Sequence, residues 1–205
     1  MTSLPKVKKP TLFDVLEARV GLPLHRPMEV ELALKSMTVE PGNCLVRSGA
    51  PAPYIYLVQE GIFKLTFQLA DGSERVRDFV SEGQIVACLE SLETGLPAEY
   101  SIVAYARSKV QRLPYGVVRP LVFTDLAWSR CQAMIYYDTA VHRAARERDL
   151  LLLRPFDRFE KLAKERPGIA QRVPQQDLAA FVGVTPQSLS RLKSHAVSKR
   201  PDSRP

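Results

Sequence analysis

Between Met28 and Leu113 apolar residues alternate with polar ones or gather in short β-branched runs, and turn residues interrupt them at close intervals. YIYLVQEG, GIFKLTFQLADG, ERVRDFVSEG and EYSIVAYARSKVQRLP each read as a strand running into a turn. Asp71-Gly72 is a hairpin signal because its turn needs a positive φ, and Pro41-Gly42 marks another turn. Many short strands with regularly placed glycines predict a sandwich or roll closed on itself. The period then changes. Between Pro120 and Pro155 lie 34 residues without glycine or proline, rich in Leu, Ala, Arg, Met and Gln, which predicts one long helix from near Asp125 to Leu153. At about 1.5 Å per residue such a helix exceeds roughly 40 Å, too long for one small domain to cover. Trp128, Cys131, Ile135, His142, Ala145 and Leu152 fall near a heptad seam, so pairing with the same helix of a second copy is expected. Asp138 and Asp149 interrupt that stripe, and the alternative is a helix packed only on its own β-rich domain. A further helix is expected from about Pro155 to Glu165, closed by Pro167-Gly168.

The most informative stretch is VPQQDLAAFVGVTPQSLSRLK, Val173 to Lys193, which reads as two short helices joined by a glycine turn. Leu178, Ala179 and Val182 give the first helix, from about Gln175 to Val182, one apolar face. Gly183 can take the left-handed conformation that ends it. Thr185 can cap the second helix, and Pro186 in its first turn loses no hydrogen bond. Val184, Leu189 and Leu192 should then pack inward and Gln187, Ser188, Ser190, Arg191 and Lys193 face outward. Those residue types suit a DNA groove. Gln pairs with the edge of adenine and Arg with that of guanine, while Thr, Ser and Lys hold phosphates. The alternative for this pattern alone is an ordinary helical hairpin with a solvated polar face.

Charge changes that balance. Residues 1–150 carry 18 Lys and Arg against 17 Asp and Glu, whereas residues 151–205 carry 11 against 5. The net charge of +7 is therefore concentrated where the helix pair lies, as nucleic-acid binding requires. The 205 residues, 45% apolar, suffice for a medium core and a smaller second one. No apolar run approaches the roughly 20 residues of a membrane helix, and no apolar signal core follows the N-terminal lysines, so a cytoplasmic protein without membrane contact is expected. Cys44, Cys88 and Cys131 are scattered and odd in number, as are His25, His142 and His195. They make neither a disulfide framework nor a metal site, and no nucleophile elbow or phosphate loop is present. No enzyme activity, metal or cofactor is predicted.

The order of roll, long helix and C-terminal helix-turn-helix resembles the Crp/Fnr family of bacterial transcription regulators over about residues 30–193. The likeness rests on the turn at Pro41-Gly42, the run IYLVQEGIFKL with Gly61 between strands, and QRVPQQDLAAFVGVTPQSLSRLK. It implies an α+β fold: a cyclic-nucleotide-binding-like roll over residues 1–120 with an N-terminal helical segment, a dimerisation helix over 121–153, a helix-turn-helix over 154–196, and a basic tail over 197–205. It further implies a homodimer on an inverted-repeat site of double-stranded DNA, with RNA polymerase a candidate partner. Gln187 and Arg191 fall where family members read bases, and Thr185 and Ser188 where they touch phosphates. Pro186 replaces an arginine that some members use on DNA, so the preferred site should differ.

Two departures from the family follow. Members that bind cyclic nucleotide carry a Gly-Glu pair for the ribose and an Arg-Ser pair for the phosphate, whereas this chain has Ala87-Cys88 and Ala98-Glu99 at the matching positions. From Asp78 to Ala106 there is no Lys or Arg, yet Asp78, Glu82, Glu90, Glu93 and Glu99 are present. A phosphate brought there meets like charge at a few kcal/mol per contact, on the order that removes useful affinity. No cyclic AMP binding is therefore expected. Glu90, Glu99, Tyr100 and Ser101 are the candidate lining for another effector, with a neutral or cationic one better suited than an anion; the alternative is that they are surface. After Lys193 no winged hairpin is expected, and Lys199, Arg200 and Arg204 are either a phosphate-following arm or a solvated tail. The competing functional reading is a ligand-binding or protein-interaction roll dimer whose helix-turn-helix is not used for DNA.

Overall fold

A computed structural model describes residues 9–198. The chain opens with helix α1 (Leu12–Val20), capped by a reciprocal pair of bonds between Thr11 and Asp14. Helix α2 (Met28–Ala33) follows, so the β-rich region begins at Lys35 rather than Met28. The roll comprises β1 (Lys35–Val39), β2 (Cys44–Val46), β3 (Tyr54–Glu60), β4 (Phe63–Gln68), β5 (Glu74–Val80), β6 (Ile85–Val86), β7 (Ser101–Ala104) and β8 (Ser108–Pro114), with the short helix α3 (Leu89–Thr94) between β6 and β7. Two antiparallel sheets result, ordered β1-β8-β3-β6 and β2-β7-β4-β5. Their alternating inward residues, among them Val58, Phe63, Ile102 and Val110, fill the space between the sheets.

Gly61 is the tightest point of the roll. Its φ is +105°, and a β-carbon there would lie 2.0 Å from the Ser108 hydroxyl oxygen, so no other residue fits. Its N–H donates to Glu82 Oε1 at 2.8 Å.

Helix α4 (Tyr115–Thr124) carries Pro120 inside it and leads into α5 (Leu126–Leu152). Asp125 caps α5 by accepting the Trp128 N–H at 3.0 Å, which places the start of the long helix where the sequence predicts it. Helices α6 (Pro155–Glu165), α7 (Pro167–Arg172), α8 (Gln175–Val182) and α9 (Pro186–Ser198) complete the chain. Helix α6 ends at Glu165, just before Pro167-Gly168, as expected, but Pro167 also opens a further short helix that the sequence did not predict. It takes the first helical position of α7, where a missing N–H leaves no partner unsatisfied.

A second core lies beneath the roll, where α1, α4 and α5 meet β3 and β8 through Leu16, Leu57, Leu113, Val118 and Trp128. A third joins the roll to the C-terminal helices, because Ile62, Val76 and Phe79 pack with Leu162, Leu178, Phe181 and Leu189. The helix-turn-helix is therefore docked on the roll sheet and shares apolar burial with it.

Candidate nucleic-acid interface and the roll cleft

In α8, Leu178, Ala179, Phe181 and Val182 are buried. Gly183 adopts φ +83°, and the Val184 N–H reaches back to the Ala179 carbonyl at 3.0 Å, ending the helix and turning the chain. The Thr185 hydroxyl then accepts the Ser188 N–H at 3.2 Å and lies 2.9 Å from the Ser188 hydroxyl. Leu189 anchors α9 in the third core, with Val184 and Leu192 half-buried beside it. Gln187, Ser190 and Arg191 are exposed on the opposite side, and among the described residues neither Gln187 nor Arg191 has a hydrogen-bond or ion-pair partner. Two of the expected outward residues differ. Ser188 is half-buried at the cap, and Lys193 lies across the protein rather than facing out, its ammonium 4.1 Å from the Phe159 ring centroid. The apolar stem and charge of Lys193 both find partners on α6, which runs under that edge of α9. After Lys193, α9 continues to Ser198, and Lys199, Arg200, Arg204 and the rest of the expected wingless ending lie outside the described residues.

Polar ties hold this unit against the roll and α5. The Arg158 guanidinium donates to the Val182 carbonyl at 3.0 and 2.6 Å and to the Leu150 carbonyl. Arg146 of α5 stacks 3.7 Å from the Phe181 ring centroid and donates to the Phe181 carbonyl; burial pulls its pKa down. Arg166 pairs with Asp78 at 2.8 Å, and the Tyr105 hydroxyl donates to Asp177 at 2.8 Å. Arg172 makes two bonds to Glu82, at 3.0 and 2.8 Å, and these hold the Glu82 carboxyl at about 2. Arg158, Lys161, Arg166 and Arg172 thus face protein acceptors. Much of the basic excess that sequence counting assigned to a nucleic-acid field fastens the helices in place instead.

The long helix requires a correction. Trp128 and Cys131 are buried within a single protomer, because α1 covers that face: the Trp128 ring meets Phe13 edge-on at 6.4 Å and its indole N–H donates to the His25 carbonyl at 2.7 Å. Burial also pushes the Cys131 thiol up to about 11. Ile135 is half-buried on the same core, Ala145 is half-buried, and His142 sits 3.6 Å from Asp78 of the roll. The uncovered apolar stripe of α5 runs along the other side, through Met134, Tyr137, Val141, Ala144 and Leu151. Tyr137, Val141 and Leu151 are 69%, 51% and 76% exposed. Spacings of three and four residues, with Arg148 completing the series, keep these side chains in one row.

Between the roll and the inner side of α5 lies a cleft of about 850 Å³. Of the four candidate effector residues only Tyr100 lines it, its hydroxyl donating to the Ala87 carbonyl at 3.0 Å. Glu99 and Ser101 are engaged with Ser48 instead, through bonds of 3.0 Å each, and Glu90 pairs with Arg143 of α5. The structure does not bring these four together. Glu93 Oε1 accepts from Tyr115, Gln132 and Tyr136 at 2.6, 3.0 and 2.8 Å; burial works to raise its pKa, and these donors outweigh burial and hold it below the usual carboxylate range. The cleft is not the cation-free acidic environment that its own segment suggests. Arg77, one residue before that segment, lines it together with Arg143 and Arg146 from the helix. Among the described residues no cluster of His, Cys, Asp or Glu could hold a metal ion, and no helix is long and apolar enough to cross a membrane.

Residues 36–125 match the family of the cyclic nucleotide-binding domain. Solved structures extend the likeness to most of the chain. FixK2 from Bradyrhizobium japonicum is 16% identical, over 81% of this chain and 85% of that one, with a TM-score of 0.67. The c-di-GMP responsive global regulator CLP of Xanthomonas campestris is 18% identical over 82% and 88%, with a TM-score of 0.61. A protein described as a transcriptional regulator of the Crp/Fnr family from Eubacterium rectale is 11% identical over 82% and 81%, with a TM-score of 0.67. No curated protein sequence matches the chain. At these identities the likeness establishes the α+β fold shared with such regulators: a β-roll, a long helix and C-terminal helices.

Proposed function

We propose that this protein is a sequence-specific DNA-binding transcription regulator that acts as a homodimer on an inverted-repeat site. The observation that carries this reading is the free polar row on α9, where Gln187, Ser190 and Arg191 stand exposed on a helix whose other side is anchored by Leu189. Arg191 is suited to guanine and Gln187 to adenine, with Thr185 and Ser188 at phosphates beside the helix start. Two copies meet along the outer stripe of α5, Met134 to Leu151, which sets the spacing of the two reading helices. The activity is binding in the cytoplasm rather than catalysis, with RNA polymerase a candidate partner. Cyclic AMP is not its effector in this reading, since Ala87-Cys88 and Ala98-Glu99 stand where the family's nucleotide-binding pairs stand.

Selection of bound sequences from a randomised duplex pool tests the proposal. A two-fold symmetric consensus is expected, and Arg191→Ala should weaken binding by about 5- to 150-fold per half-site, the equivalent of one lost base contact of roughly 1–3 kcal/mol in each, and relax one position of each half-site. Asymmetric or absent selection, with Arg191→Ala binding as the parent does, would leave the roll as a ligand or protein-binding module.

A further inference from the structure

We propose that Arg146 and Arg158 are positioning residues that carry the direction of α5 to the reading helix α9 and so set which half-site spacing a dimer accepts, a role that rests on the regulator reading. The last four carbonyls of a helix have no partner within it, and at the end of α8 these belong to Ala179, Ala180, Phe181 and Val182. The Val184 and Gly183 N–H groups meet Ala179 and Ala180 at 3.0 and 3.3 Å. No backbone donor among the described residues reaches Phe181 or Val182. Arginines serve them instead. Arg146, from α5, lies over the Phe181 ring and donates to the Phe181 carbonyl, and Arg158, from α6, donates to Val182 through Nε and Nη2. The remaining nitrogen of Arg158, Nη1, donates to the Leu150 and Leu153 carbonyls at 3.3 and 2.5 Å, at the end of α5. One guanidinium therefore joins the electronegative ends of two helices.

Apolar burial alone would not fix that angle. The third core joins α8 to the roll through Phe79 and Phe181, but apolar contact has no direction and tolerates sliding and rotation. A planar fork held by carbonyls on two sides fixes orientation as well as distance, which a single ammonium on a flexible stem does not. Asp78 and Asp149 lie near enough to Arg146 to offset its repulsion from Arg158, so the two cations can sit side by side. The joint also reaches the turn itself, since a β-carbon at Gly183 would lie 3.5 Å from Arg158 Nη2. From there the chain passes through the Thr185 cap into α9. On a duplex, each base pair added between two half-sites moves them apart by about 3.4 Å and rotates them by about 35°. A stiff joint accepts one spacing, and a loosened one accepts several.

Two measurements on the full chain test the joint. Without DNA, amide residual dipolar couplings should place α5 and α8 of the parent in one alignment frame. Arg158→Met keeps the aliphatic stem and removes every donor, and should require a separate frame for α8 and α9. With DNA, duplexes carrying the selected half-sites one or two base pairs closer or farther than the optimum should bind the parent at least about tenfold more weakly. Arg158→Met and Arg158→Lys should each reduce that preference to about threefold or less, while binding a single half-site within about threefold of the parent. Arg146→Met should reduce it in part, and carries the test if thermal melting shows Arg158→Met unfolded. An unchanged frame or spacing preference in the folded variant, or an equal loss on single and paired half-sites, would overturn the proposal. No symmetric site for the parent, with α8 still freed by Arg158→Met, sinks the regulator and leaves the joint. A symmetric site whose spacing preference survives the substitution does the reverse.

Discussion

The two sides of α5 share one helical geometry and differ in what lies over them. On the inner side Trp128 and Cys131 are sealed by α1 and the roll. On the outer side Tyr137, Val141 and Leu151 face solvent in the isolated protomer. Both are apolar rows at helical spacing. The comparison teaches that such a row announces burial without saying which surface provides it.

The largest expected effect comes from charging the outer row. Val141→Glu should convert the proposed dimer to a monomer in sedimentation velocity and weaken binding to the proposed operator at least about 100-fold, since two half-sites would no longer be engaged together. Parent protein that already sediments as a monomer would break the assignment of that row. On the inner row, Trp128→Ala should lower unfolding free energy by about 3–5 kcal/mol in urea titration, yet leave the folded fraction dimeric. Loss of dimer at equal stability would exchange the roles of the two rows.

Smaller effects should follow at the far end of α5. Arg158→Ala removes donors from the Val182 and Leu153 carbonyls and should cost about 1–3 kcal/mol. Faster amide exchange in α8, with the roll strands unchanged, would be its signature. The mildest prediction concerns Glu82, held at about 2 against an ordinary 4.5 by Arg172. A lowered folded-state pKa means that its contribution is complete above the ordinary value and disappears as pH falls towards 2. Glu82→Gln should therefore melt below the parent at pH 6 and level with it near pH 2. A constant gap across that window would show that the carboxylate charge is not what ties α7 to the roll.

The parts of the fold legible in advance are those decided by neighbours in the chain. Asp125 caps α5, Gly183 turns between α8 and α9, and Thr185 caps α9, each through contacts within about one helical turn. Alternation in β3, β4, β5 and β8 foretells the roll for the same reason. The exposed polar row of α9, Gln187, Ser190 and Arg191, was also visible from spacing. Lys193 was not, since its aromatic partner Phe159 lies 34 positions earlier on another helix. Nor was the lining of the cleft, which depends on β5, β6 and α5 converging.

Composition and spacing therefore settled most of the main elements and where the exposed polar row of α9 lies, because caps, turns and periodic rows arise from short-range hydrogen bonding and sterics. The third dimension decided which row of α5 is covered, which arginines find acceptors, and how much positive charge is left facing outward. Apolar burial has no direction and electrostatic pairing ignores chain distance, so those outcomes belong to the packed whole.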